Sequence, residues 1–423
     1  MIRNEISKIV KSPYMWGVLL FCILINCGIL CFENTEDFSS GQYKKVWQQF
    51  LSEEKNLQDE IASSKDKAEK YKQNEMTDKE KLYVRFAKEL EAVSTYNDYR
   101  QRIQENAKKI TLFSTFTEGG FAEKNIEKTA AHFKKMKMVK VVAEPSLGIE
   151  KMFSTVTGIV VLFFVLYLGY LLFVRENETG IAKLLYVTRF GKRKLFFAKL
   201  AAHIWGTAVA ALIFYGCNYV ILRERYGIGD LSRSIQSVLA YRSCGSELSV
   251  GQFLILSMII LIFIMTALAI FIDCICILGK KALISIMIFF FCIIGCVLVY
   301  VQIPMNSNLN WLKYIDPAYC LNAGDIIGKY VNINILGEPV SYPVVMAVYF
   351  LFLLICMICG MIGFSKMKEE SRKSGLFNFA FMKNEKRFLK GHDSLFRYEL
   401  YKVRKGGRVG MILFLFLIVS CFL

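Results

Sequence analysis

The chain is short of the residues that most chemistry needs. Among 423 residues there are 3 histidines, 6 prolines and 4 tryptophans, and only 21% of the chain is charged. His132, His203 and His392 lie in separate segments, so no zinc-ligand spacing forms. The phosphate-loop pattern G-x-x-x-x-G-K-[ST] is missing; Gly324-Asp325-Ile326-Ile327-Gly328-Lys329 lacks both its spacing and its hydroxyl. We therefore expect no cofactor, no metal, no catalytic residue and no nucleotide hydrolysis by this chain itself. Cysteine is absent from 34–149, and most of the 13 cysteines sit within apolar runs. The Cys356-Met-Ile-Cys359 spacing resembles a metal or redox pair, but its apolar surroundings favour small buried hydrophobes. Cys244 and Cys320 fall in predicted outer loops and could meet as a disulfide, with free thiols as the default. Acidic residues are missing from the interiors of the apolar runs, which disfavours an ion-coupled carrier.

What fills the chain instead is apolar: 54% hydrophobic residues and a mean hydropathy of +0.38. A water-soluble surface needs more charge than this. Runs of about 20 apolar residues predict spans near 14–32, 152–174, 201–222, 251–272, 282–302 and 344–364. The expected fold is an all-α integral membrane protein. In it, residues 13–32 form span 1, 33–150 a helical extracellular insert, and 151–364 spans 2–6. Within the insert, apolar positions at three- and four-residue steps (Leu57, Ile61, then Leu82, Phe86, Leu90) predict an antiparallel helical pair turning near Gln73–Asp78.

The net charge of +17 would raise nucleic acid as a partner in a soluble chain. Here its distribution fits the positive-inside rule better, and no nucleic acid is expected. Segment 365–408 carries 13 Lys/Arg against 5 Asp/Glu, and 175–199 carries 7 against 2, while 33–151 is nearly balanced at 22 against 21. An N-terminus in the cytoplasm puts both basic segments there; Arg223, Arg225, Arg233 and Arg242 in the third loop dissent. Residues 1–12 read as an amphipathic elbow helix with Ile2, Ile6, Ile9 and Val10 on its lipid-facing side. At the other end, 409–423 reads as the start of a seventh span. Arg397-Tyr398-Glu399-Leu400 echoes Arg3-Asn4-Glu5-Ile6, which suggests a truncated piece of a duplicated protein.

One stretch stands out: RENETGIAKLLYVTRFGKRKLFFAKL at 175–200, between two spans. Ile181, Leu184, Leu185 and Thr188 recur at helical steps. Glu176 and Glu178 suit a helix N-terminus, Gly180 breaks or caps, and Gly191 ends the helix before Lys192-Arg193-Lys194. Physics alone allows two readings, a short helix that carries motion from a docked partner and a basic interfacial anchor.

The order of these elements resembles the permease subunits of type-2 ATP-binding-cassette transporters. The resemblance is carried by Arg175-Glu176, Gly180, Leu184-Leu185, Thr188, Gly191-Lys192-Arg193 and Lys199, which are similar to the family's coupling pattern. It is carried also by Asn310-Trp311-Leu312-Lys313-Tyr314-Ile315-Asp316-Pro317, similar to the segment before span 6. Ile181 and Arg189 depart from the family's usual Thr and Pro. The resemblance covers about 1–365. It implies an elbow helix, six spans, a re-entrant segment before span 6, and a coupling helix formed by Arg175, Glu176, Gly180, Leu184, Leu185, Thr188, Gly191, Lys192, Arg193 and Lys199. The implied partners are separate ATPase subunits, a second permease half and membrane lipid, in the cytoplasmic membrane. The large insert resembles that of members tied to export of, or resistance against, peptide antibiotics, so a peptide or lipid-like substrate is expected. The alternative is a non-transporting scaffold of the phage-receptor or secretion-assembly kind.

Overall fold

The computed structural model describes residues 1–32, 38–53, 56–73, 76–112, 120–182, 185, 193–303, 309–342 and 344–366. The expected basic segment 365–408 and the start of a seventh span lie almost wholly outside these residues, as do Leu184, Thr188, Gly191 and Lys192. Among the described residues, six helices are long and apolar enough to cross a membrane: Pro13–Cys31, Leu147–Glu178, Arg193–Arg225, Val250–Gly279, Ala282–Gln302 and Val344–Ser365, here spans 1 to 6.

Spans 3 and 4 run to 33 and 30 residues, which at 1.5 Å per residue is about 50 and 45 Å, well beyond a hydrocarbon core of about 30 Å. This corrects two expectations. Lys199 belongs to the body of span 3 rather than to a loop, and Asp273 belongs to the body of span 4 rather than to the link after it. The apolar spans are therefore not free of acidic residues. The reason is that hydropathy windows stop where polar residues begin, whereas a helix continues while its backbone bonds are satisfied. Span 4 is held at its start by a capping box, with Ser249 and Gln252 bonding each other's backbone N–H groups. It ends at Lys280, whose φ of 57° closes the turn into span 5.

The elbow helix, Ile2–Val10, buries Ile9 against the bundle but also buries Glu5, while Ile2 and Val10 stay exposed. Before span 6 the chain forms three short helices, Asn310–Ile315, Pro317–Cys320 and Ala323–Gly328, then an antiparallel hairpin pairing Asn332–Ile335 with Glu338–Ser341. Asp316 caps the second of these, accepting from Ala318 N at 2.7 Å, with Pro317 preset at the first helical position. The Tyr342 hydroxyl, at the end of the hairpin, donates to the Tyr314 carbonyl, and the Tyr349 hydroxyl of span 6 donates to the Ile315 carbonyl, so the first short helix is bound to both. Cys244 and Cys320 are both buried free thiols, each directed at a backbone carbonyl, Ile327 for the first and Tyr314 for the second.

The insert is helical, with Leu57–Gln73 packed antiparallel on Thr77–Ser94. Its densest part is an aromatic cluster in which Trp47 meets Phe86 and Phe50 edge to face at 5.0 and 5.8 Å. Inside it lies a carboxylate. Glu89 accepts from the Tyr43 hydroxyl at 2.7 Å, from Trp47 Nε1 at 3.1 Å and from Arg85 at 2.7 Å. Arg85 also donates to Glu150, at the start of span 2, at 2.7 Å. Burial pushes the Glu89 carboxyl above its ordinary range, and the Arg85 guanidinium opposes that shift. Three of the four arginines that broke the charge rule are used in the same way. Arg225 reaches Ser40 and the Leu30 carbonyl, Arg233 the carbonyls of Pro145 and Ile228, and Arg242 the carbonyl and hydroxyl of Thr95. They fasten the insert to the end of span 3 and to the loop between spans 3 and 4.

Replacing Arg85 by Met leaves Glu89 and Glu150 without their shared cation. We expect a loss of about 3 kcal/mol in the stability of the insert, measured as faster hydrogen exchange across residues 77–94. Tyr43→Phe removes one neutral donor and should cost about 1 kcal/mol by the same measurement.

Candidate functional site at the base of spans 2 and 3

Span 2 does not end as a plain α-helix. After Thr155–Gly169 it widens into a π-helical turn at Tyr170–Val174 and closes with one α-turn at Arg175–Glu178. A π-turn changes which carbonyls the helix itself satisfies and recurs at functional positions. Here the Leu172 carbonyl accepts a hydrogen bond from the Lys199 ammonium of span 3.

Lys199 is 1% exposed, so its charge requires partners. Besides Leu172 it donates to Glu176 Oε2 at 2.7 Å, faces Glu5 Oε2 at 3.9 Å, and lies 5.5 Å from the centre of the Phe173 ring. The other oxygen of Glu176 takes a hydrogen bond from Lys8 of the elbow helix at 2.7 Å, and Lys8 also donates to Glu5 Oε1 at 2.8 Å. Two ammoniums and two carboxylates thus form a closed knot joining the elbow helix to spans 2 and 3. Burial alone would lower the Lys8 pKa; the hydrogen bonds to Glu176 and Glu5 outweigh it and hold the group above its ordinary value. Two residues away, Glu178 Oε1 accepts from the backbone N–H of Ala282, the first residue of span 5, at 2.9 Å.

The structure reassigns the role of the two glutamates. Arg175–Glu178 is the last turn of span 2, not the first turn of a new helix. A helix C-terminus disfavours negative charge, so Glu176 is held by the two lysines and Glu178 by the free N–H at the N-terminus of span 5, not by the dipole of their own helix. The chain then turns at Gly180, whose φ of +76° is a left-handed conformation that glycine adopts without strain. Ile181, Ala182 and Leu185 are helical, and Leu185 packs against the core. Of the ten residues expected in the coupling element, Glu176 and Lys199 touch directly. Arg175 and Gly180 flank them, and Arg193 opens span 3. Leu184, Thr188, Gly191 and Lys192 lie outside the described residues.

Two residues escaped the sequence reading. Glu5 sat among polar positions of a helix taken to lie flat on lipid. A carboxylate four residues before the conspicuous apolar Ile9 was the available signal, since it shares that buried face. Lys8 reads in sequence as one more basic residue on the polar face of an amphipathic helix, and nothing local distinguishes it.

The residues of the chain match the family described as ABC-2 family transporter protein over 1–369. That span includes the elbow helix, all six spans and the knot. The chain is a member of the ABC-2 transporter family. It is an all-α, multi-pass membrane protein of the ABC-2 permease type, and permeases of this family generally partner with ATPase subunits. No curated protein and no solved structure gives a significant match.

Two outcomes are expected at this site in the ABC-2 chain. Gly180→Ala meets no atom within 4 Å and is left with backbone strain alone, a cost of about 1 kcal/mol, visible as a small drop in thermal midpoint. The Lys8 contribution, arising from a raised pKa, is fully present below the ordinary lysine value of about 10.4 and is lost as pH rises through the higher folded value. Spin-label distances between the elbow helix and span 2 should therefore stay constant from pH 7 to about 10 and lengthen only above that.

Proposed function

We propose that this ABC-2 chain is the membrane permease subunit of an exporter in the cytoplasmic membrane, with its N-terminus in the cytoplasm and its insert outside, and that ATP is hydrolysed by a separate subunit. The segment between Glu178 and Arg193 docks on that ATPase. The observation that carries the reading is the knot of Glu5, Lys8, Glu176 and Lys199. A push on the docked segment reaches span 2 through Glu176, span 3 through Lys199, the elbow helix through Lys8, and span 5 through Glu178. Charge-assisted contacts of this kind keep packed elements moving as rigid bodies, the condition for a closing ATPase to tilt spans rather than bend a loop.

The chain has no ATPase motif of its own, and it acts here as a permease rather than an enzyme. A second permease half completes the transporter. The peptide or lipid-like substrate class is supported by the apolar walls of the spans and by the size of the helical insert. Family membership favours transport over a non-transporting phage-receptor or secretion-assembly scaffold.

The test is co-purification and reconstitution with an ATP-binding-cassette ATPase subunit from the same source. Glu176→Gln and Gly191→Pro should leave the chain folded in the membrane and reduce ATPase stimulation at least tenfold. Gly191→Pro should in addition weaken ATPase retention. Unaltered ATPase stimulation in both variants would overturn the coupling role.

A further inference from the structure

A second ionisable pair lies deeper in the bundle and takes no part in the knot. His203 of span 3 and Asp273 of span 4 are 0% and 1% exposed. His203 Nδ1 is 2.6 Å from Asp273 Oδ1, and His203 Nε2 is 3.0 Å from the carbonyl oxygen of Val165 in span 2. One imidazole thus joins three spans.

Hydrogen-bond chemistry restricts its protonation. A carbonyl oxygen only accepts, so Nε2 must carry a hydrogen. The 2.6 Å separation of Nδ1 and Oδ1 also requires a hydrogen between them, because two lone pairs at that distance repel. Both contacts coexist only when the pair holds one proton more than neutral imidazole plus carboxylate. That proton resides on His203 as imidazolium or on Asp273 as carboxylic acid. Without it, the single remaining ring hydrogen can serve Asp273 or Val165, but not both.

The surroundings bear on this site from every side. Lys199, one turn earlier on span 3, acts electrostatically on Asp273, and Asp273 in turn acts on the neighbouring thiols of Cys274 and Cys276 on its own span. From span 6, the Cys356 carbonyl takes the Cys274 thiol at 3.0 Å. Span 2 contributes Gly169, where a methyl group would come within 3.1 Å of Ile272 and 3.5 Å of His203 Cε1, so the three backbones pack closely there. Among the described residues Asp273 Oδ2 is buried with no hydrogen-bond partner, an acceptor open toward a proton or a water.

We propose that His203 and Asp273 form a proton-binding site that fastens spans 2, 3 and 4 together. The proton leaves from between Nδ1 and Oδ1 to bulk water and returns from it, the pair passing from net zero to −1 and back. Its departure releases either the contact with span 2 or the contact with span 4. A rearrangement that parts these spans is therefore linked to proton release, and the packing of the bundle is pH-dependent. An ionisable pair at this depth is costly to keep for packing alone. The inference is independent of ATPase docking, and its test uses this chain by itself.

The experiment uses the full chain in lipid nanodiscs with 15N-labelled histidine, the three residues being assigned from His132→Gln and His392→Gln variants. His203 should show a protonated Nε2 and a hydrogen-bonded Nδ1. With rising pH the pair should lose one proton, seen as a change in the His203 ring nitrogens, in a step that coincides with a fall of several degrees in the thermal midpoint. Asp273→Asn places an amide donor against Nδ1, keeps both contacts without a titrating proton, and should abolish that fall. If Asp273→Asn does not fold, the labelled wild-type chain still decides. A His203 ring that titrates near the ordinary value of about 6.5 with no change in the thermal midpoint overturns the proposal. So does a fall of the same size in Asp273→Asn.

Discussion

A lysine ammonium enclosed in an apolar helix bundle is the constraint around which the lower part of this molecule is arranged. Lys199 is almost wholly buried, and an unpaired charge in such a place is among the most costly features a fold can carry. Its donors must therefore be met from the protein. Span 2 opens into a π-turn to present the Leu172 carbonyl, its last turn supplies Glu176, and the elbow helix turns Glu5 inward instead of lying wholly against lipid. Lys8 then balances the second carboxylate. Each of these features is unusual by itself; together they satisfy one cation.

The two ends of span 2 follow the same logic. At the insert end Glu150 is fastened by Arg85 and accepts from the backbone N–H of Ala240 in the loop between spans 3 and 4. At the other end Glu176 and Glu178 fasten the elbow helix, span 3 and span 5. Between them, His203 grips the Val165 carbonyl near the middle of the helix. Span 2 is thus anchored by ionisable groups at top, middle and base, while spans 1, 5 and 6 present mostly apolar side chains to their surroundings. A helix held in this way moves with its neighbours or not at all.

Much of the architecture was legible without coordinates, because apolar length and charge distribution are one-dimensional properties. Six spans, a helical insert with an antiparallel pair, and an unusual segment after span 2 all follow from patterns within about 25 residues. Membership of the ABC-2 family rests on the same linear order. The site was legible only in part. Glu176 and Lys199 stood out through their place in a family pattern, but Glu5 and Lys8 are more than 160 residues away in sequence from Glu176. Asp273 was misplaced for a related reason: a polar residue near the edge of a hydropathy window looks like a loop, although its helix continues for six residues to Gly279.

The sequence by itself determined that this protein spans a membrane, and where along the chain the six described spans and the insert between the first two of them fall. It did so because burying about 20 residues in hydrocarbon is a decision made residue by residue, with no reference to a partner. Only the tertiary structure decided which charges meet. The pairings of Lys8 with Glu176, Arg85 with Glu150, and His203 with Asp273 join elements distant along the chain, and such pairings exist only once helices pack at a given rotation and height. The glutamates of residues 175–178 show the difference. Their sequence reads as the start of a helix, and their position in three dimensions makes them the end of one, held by lysines from two others.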